Sequence, residues 1–399
     1  MTDKTKAELI DDVLHRGVDA VYPSEAALVK LLSRKPITLY LGVDPSAPDL
    51  HIGNAVPLQK LRQFQQLGHK VILLIGDFTG QTGDPTDKQA VRKPLTKQEV
   101  LANAKHYQKQ ASTILDFKGK NPAVIRYNSE WLGKLSFDEV ADLAGHFTVQ
   151  QMLERDMFEN RIKEGKPVSL REFLYPLMQG YDSVAMEVDL EVGATDQTFN
   201  MLAGRKLVKE YLGKEKFVLA LKLLADANGV KIGKSEGNAI NISGKPEDLF
   251  GQVMSLPDEV IVQAMETVTS VPMAEVRELA KLVKKNPRDA KMALASAVVT
   301  EFQGEKAALK GRTYFVNVFQ QGGTPDDVPV WRTDDTELKL WELLKKSGLA
   351  PSSSEARRLI SQGAVRVNEI VYDDPDHPVN LTTEPIIQVG KKKFLRVAR

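Results

Sequence analysis

Cysteine is absent from this chain of 399 residues. That excludes a disulfide framework and any thiolate metal site. Histidine is scarce: six residues (His15, His51, His69, His106, His146, His377), scattered without the spacing of metal ligands. Net charge is nearly absent, at +1, so nucleic acid would have to be met by a local patch rather than by a basic chain. Long apolar runs are missing, and none could cross a bilayer. The start, Met-Thr-Asp-Lys-Thr-Lys, lacks the apolar core of a signal peptide. A cytoplasmic protein is the expectation. What is present is ordinary for a globular chain, 42% hydrophobic and 27% charged, and long enough for two or three domains.

The stretch that stands out runs from Tyr40 to Asn54. Ile37, Leu39, Leu41 and Val43 read as a buried strand leading into it. Pro45 and Pro48 stop that strand. Asp49 is the expected N-cap of a helix from about 50 to 67 that carries Leu50, Pro57, Leu58 and Leu61. His51, Gly53 and Asn54 then fall in the first turn, where unpaired N–H groups and the helix dipole accept phosphate. Gly53 would let a flat group approach the backbone. A second stretch, Lys231-Ile232-Gly233-Lys234-Ser235, is a short loop with two lysines.

Residues 7–32 read as helical. Val71–Gly76, Ala123–Tyr127, Val188–Val192 and Phe217–Leu224 are apolar runs of strand length with helical segments between them. This alternation predicts a doubly wound parallel sheet with ligands at the carboxyl ends of its strands. Asp77–Pro85 is a Gly-rich turn bearing Thr79 and Asp84, and a charged segment with Lys88 and Arg92 follows. Residues 129–165 read as an amphipathic helical insertion suited to packing on another surface, such as a second copy of the chain. On a helix over 172–186, Tyr175, Gln179 and Asp182 share one face, which fits a cleft wall binding a polar ligand better than a solvent face. Gly193 and Asp196, after a strand, could hold a ribose.

Strand patterning ends near 245. The expected organisation is 1–243 as one domain, 244–322 as a helical domain, 323–335 as a linker and 336–399 as a small module. Between Thr336 and Arg399 eleven Lys/Arg stand against eight Asp/Glu. Arg357, Arg358, Arg366 and Lys391–Lys393 could form a patch for a phosphate backbone.

Taken together, the motifs resemble those of the bacterial tyrosyl-tRNA synthetase family of class I aminoacyl-tRNA synthetases. The carriers are Tyr40-x-Gly-x-Asp44-Pro-Ser46, His51-Ile-Gly53-Asn54, Thr79-Gly-x-x-Gly-Asp84-Pro, Tyr175-x-x-x-Gln179-x-Tyr-Asp182, Asp196-Gln197 and the lysine loop. The resemblance spans the whole chain. It implies an α/β, Rossmann-like doubly wound catalytic domain, an α-helical anticodon-recognition domain and an alpha-L (S4-type) α+β RNA-binding module. It further implies that Tyr40 and Asp182 meet a tyrosine phenol, while Tyr175, Gln179 and Asp84 hold its ammonium group. Asp44, Thr79 and Gln197 line the same pocket. Ser46, His51, Gly53, Asn54, Gly193 and Asp196 meet ATP, and Lys88, Arg92, Lys231, Lys234 and Ser235 grip the leaving pyrophosphate. Asn54 departs from the family's second histidine, Ile232-Gly233 from its Met-Ser, and Ser46 from a common Thr.

The implied partners are L-tyrosine, ATP with Mg²⁺, tRNA(Tyr) and a second subunit in a homodimer formed through about 129–165. Adenylate formation by a substrate carboxylate needs placement and charge stabilisation, not a side-chain nucleophile. That matches a site of lysines, hydroxyls and a helix N-terminus. A tryptophanyl-type enzyme and a non-catalytic tRNA-binding relative are the competing expectations. The Tyr40/Asp182 pair disfavours the first, since an indole offers only a donor.

Overall fold

The computed structural model describes residues 5–84, 96–233, 237–320, 328–390 and 393–398. They form two compact units, divided between Ala308 and Leu309.

In the first unit a six-stranded sheet has the order β1-β6-β5-β2-β3-β4. These strands are Val18–Tyr22, Phe217–Leu221, Leu190–Ala194, Thr38–Val43, Lys70–Ile75 and Val124–Tyr127 respectively. All neighbours run parallel except β1 against β6. The apolar runs form strands because both faces are covered: Leu39, Leu41, Val71, Leu73, Leu219 and Leu221 are all buried. The chain builds outward from β2 to β3 and β4, then returns to add β5 and β6 on the other side of β2. The topological switch point therefore lies between β2 and β5.

Residues 7–32, expected to be helical, hold two helices, α1 (Lys6–His15) and α2 (Glu25–Arg34), with the unexpected strand β1 between them. Gly17, at φ +66°, turns the chain out of α1. The five residues of β1 sit on the sheet edge, too short for a period to distinguish strand from helix.

Helix α3 (Ile52–Gln66) follows β2, and α4 (Lys97–Ala111) lies between β3 and β4. The 129–165 segment holds four short helices, α5 (Ser129–Leu132), α6 (Phe137–Gly145), α7 (Val149–Leu153) and α8 (Asp156–Lys163). Then come α9 (Leu170–Ala185) before β5 and α10 (Thr198–Leu212) between β5 and β6. Gly180 and Gly204 bring α9 and α10 together: a Cβ on Gly180 would lie 3.2 Å from the Gly204 nitrogen. Helices α11 (Pro246–Met254), α12 (Ile261–Val268), α13 (Met273–Lys285) and α14 (Pro287–Gln303) follow in the same unit, and a further helix, Glu305–Phe315, begins within it.

In the second unit, helices Leu340–Lys346 and Ser353–Ser361 pack with short strands around Leu343, Leu344, Ile360, Leu381 and Ile387. The strand order there is Ile370–Tyr372, Val365–Val367, Ile386–Val389, Lys393–Ala398 and Val330–Arg332. Among the described residues no helix is long and apolar enough to cross a membrane.

Candidate active site

A cleft of about 250 Å³ opens at the carboxyl ends of β2 and β5, where an open α/β sheet binds ligands. Its wall includes Asp44, Ser46, His51, Gly53, Asn54, Thr79, Asp84, Tyr175, Gln179, Asp182, Gly193, Asp196, Gln197 and Lys231. Residues spread over nearly two hundred positions thus converge on one cavity. Lys88, Arg92, Lys234 and Ser235 lie outside the described residues.

At the buried end, Asp182 accepts hydrogen bonds from Trp131 Nε1 (2.7 Å) and Asn128 Nδ2 (3.3 Å). Burial pushes its carboxyl well above the usual range, and the two donors pull against that shift. Tyr40 is wholly buried beside this wall, with its hydroxyl 2.9 Å from Ser183 Oγ. Burial, then the carboxylates Glu191 and Asp182, raise its phenol far above the ordinary value, so it stays protonated.

Along one side, Thr79 Oγ1 and Tyr175 Oη donate to the two oxygens of Asp44 at 2.7 and 2.8 Å. A Cβ on Gly76 would fall 1.9 Å from that carboxylate, so this close approach requires glycine. Gln197 Nε2 donates to Asp84 at 2.6 Å, and Asn200 Nδ2 donates to the side-chain oxygens of both Gln179 and Gln197. Arg155 approaches Asp84 to 3.8 Å while its guanidinium lies over the rings of Phe158 and Phe199.

At the more exposed end the N-cap of α3 is His51, not Asp49. Asp49 instead accepts from Gln110 and Ser243. The His51 N–H donates to Asn54 Oδ1 at 3.1 Å, so Asn54 closes the helix start on itself. The segment bearing the lysine loop is stitched to this corner: Ile52 N donates to Ile240 O, and Ile242 N to Leu50 O. A Cβ on Gly53 would come within 3.0 Å of Ile232 O, so glycine here serves the approach of the lysine loop. Lys231 Nζ pairs with Asp196 Oδ2 at 2.8 Å. Asn238 accepts from Gly233 N and donates to Lys231 O, bracing the loop from its far side.

Sequence reasoning missed Asn128, Trp131, Arg155, Ser183, Glu191 and Asn200. Trp131 and Arg155 belong to the insertion that reads as a surface element. Glu191 was legible in principle, as a carboxylate inside a strand that is otherwise buried. In the second unit the three arginines differ. Arg357 pairs with Asp376 and lies over Trp341, and Arg358 pairs with Glu355. Arg366, on the exposed face of strand Val365–Val367, has no ion pair among the described residues.

Comparison with known proteins places the chain in a lineage. The family model described as tRNA synthetases class I (W and Y) matches residues 32–320. The chain is 46% identical to tyrosine–tRNA ligase of Moorella thermoacetica over 393 residues, covering 96% of this chain and 94% of that one. The chain belongs to the tyrosine–tRNA ligase family. Tyrosine–tRNA ligase of Thermotoga maritima is 44% identical, covering 97% of this chain and 96% of that one. A C-terminally truncated mitochondrial tyrosyl-tRNA synthetase from Coccidioides posadasii superposes with a TM-score of 0.61 at 26% identity, over 76% of this chain and 91% of that one. An S4 domain model matches residues 339–384, so the family's catalytic fold is followed here by an RNA-binding type of module.

Proposed function

We propose that the protein activates L-tyrosine with ATP, releasing pyrophosphate, and transfers the tyrosyl group to the 3′ end of tRNA(Tyr). The observation that carries the assignment is the polarity of the cleft. A buried acidic group, Asp182, lies at one end, and a helix N-terminus with Lys231 lies at the other.

The tyrosine phenol meets Asp182 and Tyr40. With phenylalanine, those buried polar groups would be left short of a partner, costing about 1–3 kcal/mol for each. Asp84, Tyr175 and Gln179 receive the ammonium group, and Asp44, Thr79 and Gln197 keep them aligned. The substrate carboxylate then attacks the α-phosphate of ATP. Ser46, His51, Gly53 and Asn54 take the phosphate and ribose region at the start of α3, where dipole and N–H groups favour negative charge. Gly193 lies beneath the nucleotide. Asp196 takes ribose hydroxyls, which must share or displace the amine of Lys231. Lys88, Arg92, Lys231, Lys234 and Ser235 stabilise the pyrophosphate as it leaves.

ATP enters as its magnesium complex, with the ion held mainly by the phosphates. The donor set fits this: Asp44, Asp84 and Asp196 are each engaged by protein groups rather than gathered into a cage. A homodimer through the insertion is supported by two exposed apolar side chains on its helices, Phe137 (86%) and Val149 (65%). The S4-type module, with Arg366, Arg357 and Arg358, contributes to tRNA binding. Charging of tRNA belongs in the cytoplasm.

The test is amino-acid-dependent exchange of pyrophosphate into ATP. Exchange with tyrosine, absent with phenylalanine and tryptophan and lost in Asp182→Ala, supports the reading. Exchange driven by tryptophan would overturn it.

A further inference from the structure

Two ionisable groups with no role in the scheme above lie wholly inside the first unit beside the tyrosine subsite. Glu191, on β5, is 1% exposed, and Lys216, just before β6, is 0% exposed. They form a direct ion pair. Neither fits a structural role alone: a buried pair rarely stabilises a fold more than packed apolar side chains would.

The strand register explains where they point. Glu191 stands beside Tyr40 across β2 and β5, and beside Val218 across β5 and β6. Lys216 lies two residues before Val218, so strand alternation keeps it on the Glu191 side. The hydrogen bonds of Glu191 reach both ends of the tyrosine subsite. One oxygen accepts from Gln179 Nε2 at 2.9 Å, and Gln179 is linked through Asn200 to Gln197 and Asp84. The other accepts from Lys216 and, at 3.4 Å, from Ser183 Oγ, which holds the Tyr40 hydroxyl. Lys216 Nζ also donates to Met201 O at 3.0 Å. Room for the amine exists because residue 204 is glycine: a Cβ there would lie 2.7 Å from Lys216 Nζ and 2.9 Å from Ser183 Oγ.

We propose that Glu191 and Lys216 are a positioning pair for tyrosine selection. Glu191 ties the phenol-side group Tyr40, through Ser183, to the ammonium-side group Gln179, and Lys216, its direct ion-pair partner, holds that carboxylate in place. The pair touches no reacting atom. A carboxylate is required because it accepts from three donors at once, whereas a glutamine would accept with one oxygen only. The inference rests on the reading of the cleft as a tyrosine-activating site.

The experiment measures pyrophosphate exchange with tyrosine and phenylalanine in the full-length protein and three variants. Tyrosine-dependent exchange by the unaltered protein tests the underlying reading, so its failure is distinguishable from failure of the pair. Ser183→Ala cuts the link to Tyr40 and leaves the ion pair intact. Lys216→Met leaves a buried carboxylate alone. Glu191→Gln/Lys216→Met removes both charges and serves where the single variant does not fold. The expected result is a rise of about tenfold in KM for tyrosine, and a comparable fall in tyrosine-over-phenylalanine preference, in Ser183→Ala and in the double variant. KM for ATP should stay within about twofold, a split that a merely structural role would not produce. Folded Ser183→Ala with tyrosine KM and preference within about twofold of the unaltered protein would overturn the proposal, as would equal losses for tyrosine and ATP.

Discussion

At Asp182 function and stability pull in opposite directions. Its carboxyl titrates above the ordinary value because burial disfavours the charge. Between the unfolded value, ~3.9, and its higher folded value, the folded state binds the extra proton. Its contribution to stability is therefore full at low pH and is lost as pH rises through the folded value. Asp182→Asn removes that loss. Relative to the unaltered protein it should gain stability as pH rises from ~4 toward the higher folded value in denaturant titrations, while kcat/KM for tyrosine falls roughly tenfold to a hundredfold. A constant stability difference across that range would contradict the assignment.

Lys60 on α3 runs the other way. It is buried, donates to Val13 O and Arg16 O, and is pushed down to about 7 by burial and by the neighbouring Arg16. Above that value the unfolded chain, with a lysine near ~10.4, holds the extra proton, so stability rises with pH. From pH 7 to 9 the unaltered protein should gain roughly 2 kcal/mol over Lys60→Met. Parallel urea midpoints at the two pH values measure this difference directly.

Among the elements, the contact of α9 with α10 matters most, because α9 carries Tyr175, Gln179, Asp182 and Ser183 while α10 carries Asn200. Gly180 sits in that contact, and a Cβ there would meet Leu207 Cδ1 at 2.8 Å as well as the Gly204 backbone. Gly180→Ala should cost about 1–3 kcal/mol by overpacking and raise KM for tyrosine more than KM for ATP. Calorimetry and exchange kinetics on one preparation would check both. The helix over 172–186 and its polar face were legible in the sequence, since a 3.6-residue period is a local property. The glycine contact was not, because nothing in the sequence says which helix lies opposite. The start of α3 makes the same point. Its helix was readable, but the cap moved from Asp49 to His51 because Gln110 and Ser243, distant in sequence, take the aspartate.

Over the whole molecule, two charge and surface arguments yield tests. Phe137→Glu should shift the protein toward monomer in light scattering at micromolar concentration, because a carboxylate replaces the most exposed apolar side chain of the insertion. In the second unit Arg366→Ala should weaken tRNA binding and lower the slope of log affinity against log salt by about one charge. Arg358→Ala should do less, since Glu355 already neutralises that side chain. Equal effects of the two would count against the difference drawn from their ion pairs.

Local order and local chemistry together made the family readable in the sequence. Apolar runs of strand length predict strands, proline and glycine mark their ends, and the two signature stretches hold the groups that phosphate chemistry needs. These are short-range properties, and they led to a doubly wound sheet with a polar ligand cleft, while the resemblance of the motifs to a known family supplied tyrosine as the substrate. Only the tertiary structure decided which remote groups complete that cleft. The pairing of Glu191 with Lys216, the reach of Trp131 and Arg155 from the insertion and the antiparallel β1 depend on long-range contacts. A buried charge is tolerated only where folding delivers its partner, and a sequence carries no distance between the two.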